Sequence, residues 1–493
     1  MNWLQQSTKF MKHILHKGLV LLPLAVLLMC FAPMSGKLQT EINALNNDAD
    51  LSTGSWTLCA ITADSGKVLA DVNAGKVHTP ASTLKIFTTA AALSMLGADY
   101  RYETILEHTG SYDSAAGQIA GDLCIKGSGD PSLDSKHFRK DGDSTQLQRW
   151  AAALYKKGIR SIAGAVVADA SAFADNPLPD GWTWGDMGQY YGAPSGALCW
   201  HDNSYSLFFN STADSVRLTH TLPEPLELSI LIELKTGGTR DDAYVYGSPL
   251  GHVHLVRGRI PAQAKAFEVE AALPDPALQC AAEFTNALKQ QGITVAGKAQ
   301  KQTKPAKEPR RKLHSTFSPK LSEIVHRTNL KSDNVYAEQL LRTISHAKTK
   351  KGSTEDGAAL VVQFWKQQGV DTKGMFMTDG SGLSRSNAVT AMQQAQALRI
   401  ISRWPKKQYD AFRNSLPVAG KSGSLASLCK GTAAENNLAA KSGYITRARG
   451  YAGYVTTRSG KLVCFSLLAN NYTCTATEMK KKLERVMVAL AEM

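Results

Sequence analysis

Three short stretches of this chain carry residue types suited to acyl transfer. Ser82-Thr83-Leu84-Lys85 sets a hydroxyl and an amine three residues apart, and on a helix that spacing puts both on one face. A serine hydroxyl is a weak nucleophile until a neighbouring base takes its proton. Lysine serves as that base when burial or a second cation lowers its pKa enough to leave it neutral. Ser332-Asp333-Asn334 opens another helical stretch, Val335 to Leu341, and Lys441-Ser442-Gly443 leads into the first strand of a C-terminal hairpin. Together the three stretches supply hydroxyls, two amines and a carboxamide.

Each pattern alone is common. Ser345-His346-Ala347-Lys348 and Ser427-Leu428-Cys429-Lys430 repeat the first, and both are read as ordinary surface helix or loop. Lys421-Ser422-Gly423 repeats the third. Lys441 is preferred because a long strand-like run and a hairpin follow it, whereas Lys421 is followed by Ser424-Leu425-Ala426 and Lys430-Gly431-Thr432, which read as loop. Agreement in residue type, order and structural context distinguishes the chosen set.

The elements that must position these groups are legible in outline. Trp56 to Thr62 and Lys67 to Val72 read as a hairpin, and a helix is predicted from Ser82 to Leu96, stopped by Gly97. Near the C-terminus the order repeats: Tyr451 to Thr457 and Leu462 to Ala469 flank Arg458-Ser459-Gly460, and a helix runs from about Thr477. The two hairpins are expected to share one antiparallel sheet covered by helices. Between about Thr104 and Arg311 the texture changes to short strands such as Gly164 to Asp169 and Leu228 to Leu234, with one clear helix, Pro276 to Gln291. Helical spacing returns from Ser318 to Ala347 and from Gly357 to Gln368.

The three stretches, in this order, form the set found in penicillin-binding proteins and serine β-lactamases, with serine in the third element where threonine is commoner. The chain after its first 36 residues resembles one family more narrowly: the low-molecular-mass, class C penicillin-binding proteins, D-alanyl-D-alanine carboxypeptidases that also act as endopeptidases. Gly127-Ser128-Gly129-Asp130-Pro131, Tyr191-Gly192-Ala193-Pro194, Pro274-Asp275-Pro276, Asp379-Gly380-Ser381-Gly382-Leu383-Ser384-Arg385 and Lys430-Gly431-Thr432 add to the resemblance. So does the long insertion between the first and second elements, which a class A β-lactamase lacks. For Asp130 and Asp379 the residues themselves favour turn and packing roles.

The resemblance implies an α/β (α+β) fold: a β-lactamase/transpeptidase-like domain with a five-stranded antiparallel sheet and helices, carrying a large β-rich insertion. The catalytic domain is expected over 37–103 and 313–493, an accessory domain over 104–198 and 258–312, and a nested one over 199–257. Ser82 is the implied nucleophile and Lys85 its base. Ser332 relays a proton to the leaving amine, Lys441 sets the local electrostatics, and Asn334 orients Lys85 and binds the substrate amide. Backbone N–H groups of Ser82 and Tyr444 face the oxyanion. Ser442, with Gly443 and Tyr444, holds the substrate, the Ser442 hydroxyl taking a terminal carboxylate. Asp186, Tyr191 and Arg385 match positions that contact diaminopimelate, and Thr446 stands where some relatives carry glutamine. Peptidoglycan stem peptides and β-lactam antibiotics are the implied partners, with no cofactor.

At 493 residues, 43% hydrophobic and 20% charged, the chain is ordinary globular material, long enough for more than one core. Lys9, Lys12 and Lys17, the apolar run Leu19 to Ala32, and Ser35-Gly36 read as a secretory signal over residues 1–36, so the periplasm is the expected location. An uncleaved anchor remains the alternative, although the run falls short of the ~20 residues a crossing needs; membrane association is expected to be peripheral at most. Cys30 after Leu27-Leu28-Met29 makes a poor lipoprotein signal. The net charge of +14 is concentrated partly in Lys298 to Lys312, read as a solvated connector, and no nucleic-acid motif accompanies it. Seven cysteines after the signal, with no C-x-x-C pair, point to small buried hydrophobes rather than zinc or a disulfide framework. No G-x-S-x-G or H-E-x-x-H occurs, and the histidines show no metal-ligand spacing.

Two other readings compete. A serine β-lactamase shares nucleophile and fold, but no Glu can be placed as a deacylation base. A non-catalytic peptidoglycan-binding scaffold is opposed by the presence of Ser82, Lys85, Ser332, Asn334 and Lys441 together.

Overall fold

The strands at the two ends of the chain pair because each is apolar on both faces. In Ser55–Thr62 every residue after Ser55 is buried, and in Leu462–Asn470 every residue after Leu462. Such continuous burial belongs to a sheet covered on both sides rather than one facing water. The computed structural model describes residues 36–139, 142, 144–238 and 242–493, within one compact unit, Met34–Met493. The sheet runs Val68–Val72, Ser55–Thr62, Leu462–Asn470, Ala448–Thr456, Ala439–Ile445, antiparallel throughout.

Helices Lys85–Leu96, Leu321–Lys331, Asn334–Thr349, Thr354–Gln367 and Ala391–Ile401 cover one face, with Phe87, Leu93, Tyr336, Leu340, Trp365 and Leu398 in the core. Gly36–Asn46 and Ala476–Ala491 cover the other, through Leu38, Ile42, Leu45, Leu483, Met487 and Leu490. This is the mixed architecture expected. The proposed signal lies outside the described residues except for Gly36, as do Lys9, Lys12, Lys17 and Cys30. Among the described residues no helix is long and apolar enough to cross a membrane.

Lys85–Leu96 is buried on all sides over its first nine residues, so its polar side chains need internal partners. Thr88 Oγ1 donates to the Gly380 carbonyl at 2.8 Å and Thr89 Oγ1 to the Lys85 carbonyl at 2.7 Å. The helix was expected to begin at Ser82; a 3₁₀ turn, Ala81–Leu84, precedes it instead. Ser345 corrects another expectation. It is buried, because Thr354–Gln367 packs over its helix, and its hydroxyl donates to Asp356 Oδ2 at 2.8 Å. Six of the seven described cysteines are buried and all are free.

The intervening chain builds further sheets. One runs Gln300–Gln302, Val166–Asp169, Leu123–Lys126, Glu103–His108, Arg311–Phe317; Gln146–Lys156 and Pro276–Gln290 lie against this segment, with Trp150 and Phe284 edge to face at 5.4 Å. Two three-stranded sheets between residues 204 and 272 share a core of Tyr205, Leu207, Phe209, Val245, Val256 and Val269. Arg342 ties the intervening chain to the central helices. Fully buried on Asn334–Thr349, it donates to the carbonyls of Asn176 and Ser195 at 3.0 and 2.8 Å and to that of Ala174.

Candidate active site

Ser82 lies in the 3₁₀ turn that feeds the buried helix, and its position is held by close backbone packing. Ala81 has φ 47°, a left-handed conformation that costs a non-glycine residue about 1–3 kcal/mol and persists only where surroundings enforce it. Two glycines provide the enforcement. A Cβ on Gly443 would meet the Pro80 carbonyl oxygen at 2.6 Å and Ser82 N at 3.0 Å, so the edge strand Ala439–Ile445 reaches the backbone of Ser82 itself. A Cβ on Gly382, at φ +84°, would meet the Ala81 carbonyl oxygen at 2.0 Å. Gly382→Ala is expected to cost about 3 kcal/mol, combining overpacking and backbone strain, and to slow acylation by penicillin. An unchanged urea midpoint would remove Gly382 from the supports of Ser82.

Lys85 is fully buried one helical turn along. Its Nζ lies 3.1 Å from Ser82 Oγ and also donates to Asn334 Oδ1 at 2.7 Å and to the Ser381 carbonyl at 2.8 Å. Burial pulls its pKa down to about 8, against the opposing charges of Asp379, Glu338 and Asp333, which raise it. At neutral pH about a tenth of such a group is unprotonated and able to accept a proton.

Ser332 is the left-handed cap (φ 62°, ψ 36°) that ends Leu321–Lys331, and Asp333 caps the following helix by accepting from Tyr336 N. This tight break turns Ser332 Oγ to Lys441 Nζ, which donates to it at 2.8 Å. Lys441 is fully buried; burial holds its pKa well below the ordinary lysine range, and the charge of Lys85 lowers it further. Lys421 by contrast is exposed, in the turn before the one-turn helix Gly423–Leu425. Burial and the contact with Ser332 therefore favour Lys441 on geometry.

Four of the remaining sequence-derived residues form two pairs, and Ser442 and Tyr444 stand apart from them. Asp186 Oδ1 accepts from the Tyr191 hydroxyl at 3.4 Å, and Asn334 Nδ2 donates to the Tyr191 carbonyl at 2.9 Å. Arg385 Nη1 donates to the Thr446 carbonyl at 3.2 Å. Ser442 Oγ lies 2.6 Å from Ser424 Oγ, and Tyr444 is exposed with Arg449 over its ring at 4.8 Å.

Several contributors went unnoticed in the sequence. Glu338 is fully buried, accepts from Gly380 N at 3.0 Å and Ser381 N at 2.8 Å, and so fixes the carbonyl that holds Lys85. Burial and the charge of Asp379 raise its pKa. Its signal was the four-residue step from Asn334, one turn along the same helix face. Asp379 accepts from Gly382 N, Ser384 N and Trp182 Nε1 at 2.7, 2.6 and 3.0 Å, the turn-building role expected of it. Asp130 likewise accepts from the Ser132 backbone and hydroxyl. Among the described residues no cluster of His, Cys, Asp and Glu is arranged to hold a metal.

Comparison with known proteins identifies the family and the fold. The family model described as D-Ala-D-Ala carboxypeptidase 3 (S13) matches residues 38–493. A D-alanyl-D-alanine carboxypeptidase of Actinomadura sp. (strain R39) is 30% identical over 457 residues, covering 89% of this chain and 81% of the relative. The D-alanyl-D-alanine carboxypeptidase DacB of Haemophilus influenzae is 26% identical, covering 85% and 86%. In fold, the crystal structure of penicillin binding protein 4 (dacB) from Haemophilus influenzae matches with a TM-score of 0.76 at 24% identity, over 90% of this chain and 97% of that one. With near-complete coverage by both sequence and fold, this chain belongs to the D-Ala-D-Ala carboxypeptidase 3 (S13) family, among the low-molecular-mass, class C penicillin-binding proteins.

Proposed function

We propose that this chain is an exported serine DD-peptidase that removes the terminal D-alanine of peptidoglycan stem peptides and cuts D-alanyl-diaminopimelate cross-links through an acyl-enzyme on Ser82. The observation that carries this reading is the meeting of Ser82 Oγ with Lys85 Nζ at 3.1 Å, while Ser332 Oγ meets Lys441 Nζ at 2.8 Å.

Neutral Lys85 takes the proton of Ser82 as Oγ bonds to the carbonyl carbon of the penultimate D-alanine. The oxyanion is received by the N–H groups of Ser82 and Tyr444. Ser332, polarised by Lys441, passes its proton to the leaving amine as the C–N bond breaks and regains one from the proton that Lys85 took. Water then attacks the ester, giving a proton to Lys85 that returns to Ser82 Oγ as the C–Oγ bond breaks and the acyl group leaves as a carboxylic acid. Ser442 binds a terminal carboxylate; Asp186 and Tyr191, with Arg385 and Thr446, receive the diaminopimelate side chain. A β-lactam enters by the same attack, its ring amide replacing the peptide bond.

The accessory chain is proposed to form an outer domain and a nested one. Their separate apolar cores support the division, and the inner core, reaching Val269 and Leu273, favours an inner boundary beyond 257.

Incubating the purified protein with intact peptidoglycan and resolving the muropeptides tests the reading. Free D-alanine and disappearance of cross-linked dimers are both expected, with radiolabelled penicillin persisting on the protein. Rapid release of the label as hydrolysed drug, with untouched muropeptides, would replace the peptidase with a β-lactamase.

A further inference from the structure

Three aromatic rings stand in the open beside the residues assigned to the stem peptide, with the half-buried Tyr246 behind them. Trp184, Tyr190 and Tyr244 are 57%, 51% and 49% exposed, although large aromatic side chains ordinarily contribute most by being covered. Tyr244 and Tyr246, two residues apart, share one face of the strand Asp242–Tyr246, and the short helix Trp184–Met187 packs against that strand. Trp184 meets Tyr246 with ring centroids 4.7 Å apart, and Tyr190 meets Tyr191 at 5.5 Å.

The patch is held in place before anything binds. Thr183 Oγ1 donates to Asp186 Oδ2 at 2.7 Å, closing the turn that carries Trp184. Gln189 Nε2 donates to the Val245 carbonyl at 3.2 Å, fastening that segment to the strand that carries Tyr244 and Tyr246. A ligand landing on these rings therefore loses little to ordering them.

We propose that Trp184, Tyr190, Tyr244 and Tyr246 form a sugar-binding platform that seats the glycan strand from which the stem peptide hangs. Pyranose rings present axial C–H groups that match the negative face of an aromatic ring, while their hydroxyl and N-acetyl groups find partners in the phenol rims. The position suits this ligand. Asn334, which touches Lys85, also holds the Tyr191 carbonyl, so the platform begins one residue from the catalytic constellation. An extended peptide of four residues spans about 14 Å, the order of reach between a scissile D-alanine and its sugar. The assignment rests on the peptidase reading for its substrate, but the binding itself does not require Ser82.

Two measurements on a Trp184→Ala/Tyr244→Ala protein separate the possibilities. Glycan strands stripped of their peptides are expected to bind the unaltered protein and to bind the variant about tenfold more weakly. This result holds even if the chemistry of Ser82 has been misassigned. In kinetics, KM for a disaccharide-linked pentapeptide should rise about tenfold, with KM for the free pentapeptide and the rate of penicillin acylation unchanged. Equal losses on both substrates would make the rings part of the peptide pocket. Unchanged glycan binding would leave a protein partner as the ligand of this surface; either result overturns the proposal.

Discussion

Replacing Ser82 by alanine is expected to abolish covalent labelling by penicillin and to lower peptide hydrolysis by about four orders of magnitude or more. The change removes one half-buried oxygen and leaves the surrounding scaffold intact. Lys85 retains Asn334 Oδ1 and the Ser381 carbonyl as partners, so no buried charge is orphaned. Thermal or chemical unfolding should therefore move little, within about 0.5 kcal/mol of the parent. Labelling followed by mass spectrometry of the tryptic peptide around position 82 reads the result directly. A Ser82→Ala protein that still takes up penicillin would refute the nucleophile, and with it the roles given to Lys85 and Ser332.

The second large effect is in pH dependence. Only unprotonated Lys85 accepts the serine proton, and burial sets its pKa at about 8. Below that value the acylation rate should fall tenfold for each unit of pH; above it the rate should level off. Lys85→Met is expected to cost about three orders of magnitude and to erase this limb. Glu338 tests the electrostatics where the two groups titrate together, because burial and Asp379 raise its own pKa to about 8 and its charge favours protonated Lys85 only as that value is approached. Glu338→Gln leaves one oxygen to accept from Gly380 N and Ser381 N, and should move the top of the limb to lower pH while leaving its acid end, where Glu338 is already neutral, little changed. Stopped-flow acylation between pH 5 and pH 9 checks both variants. A parent profile flat across this range would exclude Lys85 as the titrating base.

Particular residues show how much of this site was legible in sequence. Ser82 with Lys85, and the run Ser332 to Asn334, were readable because residues three apart on a helix and residues at a helix start have geometry dictated by the local backbone. Choosing Lys441 over Lys421 needed only the strand-like run after it, and the buried strand Ala439–Ile445 agrees. Other contributors were hidden. Ser381 acts through its carbonyl, Tyr191 holds Asn334 through its own, and Ser424 meets Ser442 across 18 residues of chain; a backbone oxygen has no letter in the sequence. Ser345 looked like surface because its periodic signal cannot reveal which helix lies over it.

The amino-acid order by itself determined the placing of the Ser82 hydroxyl beside the Lys85 amine, the helices and strands that carry them, and the family likeness, since these follow from short-range spacing. Folding in three dimensions decided the proton affinity of Lys85, the pairing of Ser332 with Lys441 across 109 residues, and the strained turn at Ala81. Desolvation, charge coupling and backbone strain depend on what packs around a group. That packing is supplied by segments hundreds of residues away.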